Sequence, residues 1–208
     1  LVKSYPPVRI KTTGDIPFLP DLLARAGGIP FELVEISIDS LPPLVELDKE
    51  IVDMSTCYDF SFSTELSADA ERRGIAMARI GQDPVLICMN RDHPLASHSV
   101  LRREDLRGVT VAITSNKWYD FMVAQVLHLL GEDLNLGFRM ISVASPLALR
   151  YIDLGDAVAC CGINTEALTG RDDVVLFDEL DGKPLVFDQV IAYRAEDPNP
   201  NVHALTSS

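Results

Sequence analysis

"RDHPLASHSV", residues 91–100, follows directly on an apolar run, "PVLICMN" (84–90). The run reads as a buried strand, and it ends abruptly in charge, a histidine and a proline. A metal site at His93 would need further His, Cys or carboxylate ligands at short spacing. His98 is its one histidine neighbour, and no helical scaffold joins the two. The stretch therefore reads as a turn that ends a strand, with His93 a structural residue near the surface.

Strand and helix patterns alternate on both sides of that turn. Upstream, "VRIKTT" (8–13) is a strand with Val8, Ile10 and Thr12 on one face. A helix follows through "IPFLPDLLARA", capped by Asp15 and stopped at Gly27 and Gly28. "FELVEISI" (31–38) alternates apolar and acidic residues as a second strand. "LPPLVELDKE" makes a short helix, "IVDMSTCY" (51–58) a strand, and Asp59 to Gly74 a loop with at most a helical turn. "IAMARI" and "PVLICMN" are two further strands. Downstream, "VTVAIT" (109–114) is a β-branched strand. "YDFMVAQVLHLLG" (119–131) is a helix with Val123, Val126, Leu127 and Leu130 on one stripe and Gly131 as its stop. "LGFRMISV" (136–143) is a strand, and Ser145-Pro146 starts another helix as cap and first residue. "DAVACCG" (156–162), "VVLFDEL" and "LVFDQVIAYR" are strands, and "EDPNPN" opens a loose tail. This alternation implies α/β architecture with largely parallel sheets. Two such runs without a flexible linker predict two lobes joined by strands.

These phrases, in this order, resemble the effector-binding domain of LysR-type transcriptional regulators. The resemblance is carried by "DHPLA" (92–96), by "LRREDLRGVTVAI" (101–113), by "ALRYIDLGDAVACCGIN" (148–164) and by "PFLPDLLARA" after the first strand. It spans about Val8 to Arg194. The chain departs from the family pattern at Lys49-Glu50, where a glycine is usual, at Gly162-Ile163, and in the long "FSFSTELSADAERRG" (60–74). The resemblance implies two Rossmann-like lobes joined by two crossover strands, the periplasmic-binding-protein type 2 architecture. Lobe I would hold residues 1–84 and 187–208, and lobe II residues 85–186. It also implies an N-terminal winged helix-turn-helix absent from this sequence, with DNA bound only through that domain. Antiparallel pairing into a homodimer, or a tetramer of the full chain, is implied too, with the helices at 16–27 and 119–131 as contact surfaces.

In α/β sheets ligands bind beyond the carboxyl ends of strands, where helix N-termini offer unpaired N–H groups. The strand tips here read "TTGD", "TCYD", "TSNKW", "VAS" and "CGIN". Thr13, Asp15, Tyr58, Thr114, Ser115, Asn116, Ser145 and Ile163 are accordingly the candidate effector-binding residues. The hydroxyls and amides among them equally serve as helix caps. Helix N-termini and Lys117 favour an anion, Asp15 an amine or hydroxyl, and Tyr58 and Trp118 a flat ring. The expected effector is a small organic acid or an amino acid-like molecule.

Composition excludes several other classes. With 18 Lys+Arg against 31 Asp+Glu the net charge is −13, which repels phosphate backbones. No apolar run approaches the roughly 20 residues of a membrane helix. The chain begins at Leu1 without a secretory leader, and an upstream portion is expected to precede it. Four cysteines without a C-x-x-C spacing argue for reduced thiols in a cytoplasmic core rather than zinc, and no cofactor is expected. Cys57 is a separate candidate for oxidant sensing, but it lacks an evident partner thiol. A solute-binding protein of a transport system is the alternative function on this fold. No catalytic motif is present, so the chain is read as a non-enzyme.

Overall fold

The computed structural model describes residues 5–12, 19–25, 27–34, 42, 44–113, 119–141, 153–162 and 171–207. The chain divides into two compact units, Leu1–Gln82 with Asp188–Ser208, and Asp83–Phe187.

In unit 1, β1 (Val8–Lys11), β2 (Phe31–Val34) and β3 (Met54–Tyr58) run parallel in the order β2-β1-β3. The long returning strand Val186–Arg194 pairs antiparallel with β3, Val190 opposite Cys57. Because side chains alternate across a strand, the two faces of this sheet differ sharply. Val8, Ile10, Met54 and Ile191 pack with Leu19 and Leu22 of helix α1 (Leu19–Arg25) and with Val202 and Leu205 near the C-terminus. The opposite face carries Arg9 and Lys11 beside Asp53 and Ser55, covered by α2 (Leu44–Asp48). The sequence reading placed Val8, Ile10 and Thr12 on one face of the first strand and gave Arg9 and Lys11 no role. Lys11 is completely buried, with Glu46 of α2 paired to it.

Helix α2 ends in a left-handed residue that is not glycine. Glu50 has φ 55°, its N–H donates to Leu47 O, and Ile51 N–H donates to Glu46 O. That is a Schellman stop, whose left-handed position glycine fills at least steric cost. It explains physically why glycine suits this segment, where the sequence has Lys49-Glu50. Glu50→Gly is expected to stabilise the chain by about 1 kcal/mol, read as a raised denaturant midpoint.

The polar stretch after β3 holds a full helix, α3 (Thr64–Arg72), rather than a loop with a turn. Ser63 caps it by accepting from Leu66 N–H, and Asp69 pairs with both Arg72 and Arg73. Only Ala70 of α3 is buried, so the helix has no apolar stripe for periodicity to detect. The two strands expected next are one, β4 (Ile75–Asn90), continuous through Gly81 and Pro84. Pro84 lies immediately before Val85, where the ladder of β4 with its unit 2 neighbours begins. A missing N–H is tolerated at such a change of partner.

In unit 2, β5 (Thr110–Ile113) is parallel to β6 (Gly137–Met140) and to β7 (Ala157–Gly162). β4 is antiparallel to β7 and to β8 (Val174–Phe177). Strands β9 (Glu179–Leu180) and β10 (Lys183–Pro184) form a hairpin. Asp181 and Gly182 both have positive φ at its turn, the pairing that a two-residue type I′ loop demands. β11 is the returning strand Val186–Arg194. Helix α4 (Tyr119–Leu130) buries Phe121, Gln125, Val126 and Leu130, while Val123 and Leu127 of the expected stripe are half-buried. Cys88 and Cys161 belong to the apolar cluster of this unit with Ala112, Leu154, Ala157, Ala159 and Val174.

The expected loose tail is helix α5 (Pro200–Thr206). Asn199 caps it by accepting from Asn201 N–H at 3.1 Å, and Pro200 occupies its first turn. The Asn-Pro start signal was present in the sequence. Burial of Val202 and Leu205 then holds the short helix in place.

The stretch 91–100 folds around a 3-10 turn, Pro94–Ser97, and a second, Arg103–Leu106, follows it. His93 caps the first, Nδ1 accepting from Leu95 N–H at 3.2 Å. It was expected near the surface and is buried. Asp105 holds the second turn by accepting from Arg102 N–H at 2.9 Å.

Candidate functional site

Parallel strands place their carboxyl ends on one edge of each sheet. In unit 1 these ends are Lys11, Val34 and Tyr58, and in unit 2 they are Ile113, Met140 and Gly162. Helix N-termini and loops beyond such edges supply the donors that small ligands use. Of the candidate effector residues, Tyr58 is described: it is the last residue of β3, half-buried and opposite Gln189. Thr13, Asp15, Thr114, Ser115, Asn116, Ser145 and Ile163 lie outside the described residues, as do Lys117 and Trp118. In sequence, Thr114 follows the last residue of β5 and Ile163 the last residue of β7.

Two ionic groups lie on the α2 face of unit 1, and the sequence reading missed both. In the first, Lys11 Nζ donates to Glu46 Oε1 at 2.7 Å, with both side chains buried. In the second, Asp53 accepts from Arg9 through its backbone N–H (2.8 Å), Nε (3.1 Å) and Nη2 (2.6 Å), and from Arg194 Nη2 at 3.0 Å. Arg194 also donates to Leu47 O, Val52 O and Asp197. Burial raises the carboxyl pKa of Asp53, but the hydrogen bonds from Arg9 and Arg194 outweigh it and hold Asp53 below the usual carboxylate range. The available sequence signal was Arg9 in β1 and Asp53 immediately before β3. It became meaningful only once the register set those residues side by side.

Cys57 is buried in β3, and burial, aided by the charge of Asp59, pushes its thiol up to about 12. A redox-sensing cysteine needs an accessible thiolate, and buried Cys57 offers none in this structure. Burial likewise pushes Cys88 up to about 11. Among the described residues, no group of three or more His, Cys, Asp or Glu side chains could hold a metal ion, and no helix is long and apolar enough to cross a membrane.

No protein-family model and no curated protein matches the sequence. Solved structures do match, and they show the fold: a mixed α/β periplasmic-binding-protein type 2 architecture. The effector-binding domain of QuiR, solved in complex with shikimate, aligns at TM-score 0.66 with 13% identity, over 98% of this chain and 95% of that one. The regulatory domain of MetR, a LysR family regulator from N. meningitidis, aligns at TM-score 0.60 with 15% identity, over 97% and 94%. Full-length CbnR, complexed with its target DNA, aligns at TM-score 0.63 with 14% identity. That alignment covers 96% of this chain and 67% of CbnR. The particular fold of this chain is therefore that of LysR-type effector-binding domains.

Proposed function

We propose that this chain is the ligand-sensing domain of a LysR-type transcriptional regulator. The observation that carries the reading is alignment of nearly the whole chain, through both units, with domains of that kind. Residues 1–84 with 187–208 form lobe I and residues 85–186 lobe II. A small effector, an organic acid or an amino acid-like molecule, binds at the carboxyl strand ends and contacts Thr13, Asp15, Tyr58, Thr114, Ser115, Asn116, Ser145 and Ile163. By binding one lobe arrangement better than another it shifts their populations and so repositions DNA-binding domains supplied elsewhere in a cytoplasmic full-length protein. The domain catalyses no reaction.

A thermal-shift panel of amino acids, aliphatic acids and aromatic acids tests this. A ligand at about a hundred times its dissociation constant adds about 2.7 kcal/mol, equivalent to about 5–10 °C for a chain of this size. The shift is expected to vanish in Thr114→Ala or Ser115→Ala. A panel without any shift would remove the sensing role.

Assembly with a second copy is also supported. The edge strand β2 exposes Phe31 (41%) and Leu33 (56%) on the face that carries α1. Large apolar side chains left open along a sheet edge mark an interaction surface. Leu33→Asp is expected to weaken self-association at least tenfold in sedimentation equilibrium, since a buried unpaired carboxylate costs well over 1.4 kcal/mol.

A further inference from the structure

Lys11 is the last residue of β1, at the carboxyl end of a parallel sheet, where α/β sheets generally bind ligands, and it is completely buried. An ammonium carries three N–H donors, and among the described residues one of them is engaged, by Glu46. Ser55 stands directly opposite Lys11 in the β1–β3 register, so the two side chains leave the same face. Neighbouring strands are about 4.8 Å apart. Ser55 is fully buried too, and its Oγ has no hydrogen-bond partner among the described residues. Buried hydroxyls are otherwise almost always paired, so the Ser55 hydroxyl is left wanting a partner that the described residues do not supply.

Charge balance restricts what can enter. Lys11 and Glu46 are neutral as a pair. A bare carboxylate added here would leave one uncompensated negative charge in the interior, and a bare amine one positive charge, both strongly disfavoured. A ligand bringing both signs on adjacent groups keeps the balance. It exchanges one buried ion pair for two and gives the Ser55 hydroxyl an acceptor. Glu46, which would part from Lys11, rides on the five-residue helix α2.

We infer that Lys11, Glu46 and Ser55 form the head-group site for a zwitterionic α-amino acid in unit 1. Lys11 and Ser55 donate to its carboxylate, and Glu46 accepts from its ammonium. The inference rests on the ligand-sensing reading and narrows the effector to one of the two classes that reading allows.

The test compares α-amino acids, each beside its deaminated acid and its amide, by thermal shift and calorimetric titration on the wild-type chain and on Ser55→Ala. One or more amino acids are expected to raise Tm with dose, while the matching acid and amide do not. Ser55→Ala is expected to raise Tm of the free protein, because it removes an unpaired buried hydroxyl, and to weaken binding at least tenfold through loss of a hydrogen bond to a charged group. If simple acids bind as well as amino acids, or if Ser55→Ala leaves binding unchanged, this inference falls and the sensing role stands. If no compound of any class binds, both fall.

Discussion

Asp53→Ala is expected to lower the unfolding free energy by about 3 kcal/mol, measured by denaturant titration at neutral pH. The carboxylate is the shared acceptor of Arg9 and Arg194. Removing one member of a largely buried ionic group leaves the others desolvated and unpaired, which is the costly way to break it. The group joins four pieces of chain. Arg9 belongs to β1, Asp53 leads into β3, and Arg194 ends β11 while tying down Leu47 O and Val52 O. Asp197, paired with Arg194, accepts from Asn199 N–H, and Asn199 in turn caps α5 and donates to Pro6 O.

The same group gives the stability a definite dependence on pH. Asp53 has a folded-state pKa below its ordinary value of 3.8. Its contribution is therefore complete above that value and is lost as pH falls through the lower folded-state pKa. Stability curves of the wild type and Asp53→Asn are expected to run parallel at neutral pH and to converge below about pH 4. A gap that stayed constant through the acid range would show that the carboxylate charge contributes nothing.

Lys11→Met is expected to cost about 3–5 kcal/mol, because Glu46 is left buried without its cation. The double variant Lys11→Met with Glu46→Leu is expected to recover most of that loss, since apolar pairs of similar volume often replace buried ion pairs at no net cost. Equal losses in the single and double variants would mean that packing volume, not charge, governs this site. Recovery of stability in the double variant also makes it a folded background that lacks both charges of the inferred amino acid site.

How far the sequence could be read varied with the kind of signal. The runs at 8–11, 54–58, 110–113 and 157–162 appear as strands because they are short, largely apolar and bounded by turn residues. Helix α3 escaped notice because a helix held by a cap and by Asp69–arginine pairs has no apolar stripe. The Gly81–Pro84 segment read as an interruption, although extended backbone accommodates both residues when no ladder donor is required. In α5 the start signal was visible, but a seven-residue helix depends on packing that local sequence does not show.

By itself the sequence determined the α/β class, the strands at 8–11, 54–58, 110–113 and 157–162 and the turn at His93–Ala96. These depend on local periodicity and on capping residues that act within a few positions. Tertiary structure alone decided which face of β1 is charged and buried. Asp53 meets Arg9 across 44 residues of chain and Arg194 across 141, and Lys11 meets Glu46 across 35. Ion pairing at such separations follows from strand register and from where α2 lands on the sheet, neither of which leaves a periodic trace in the chain.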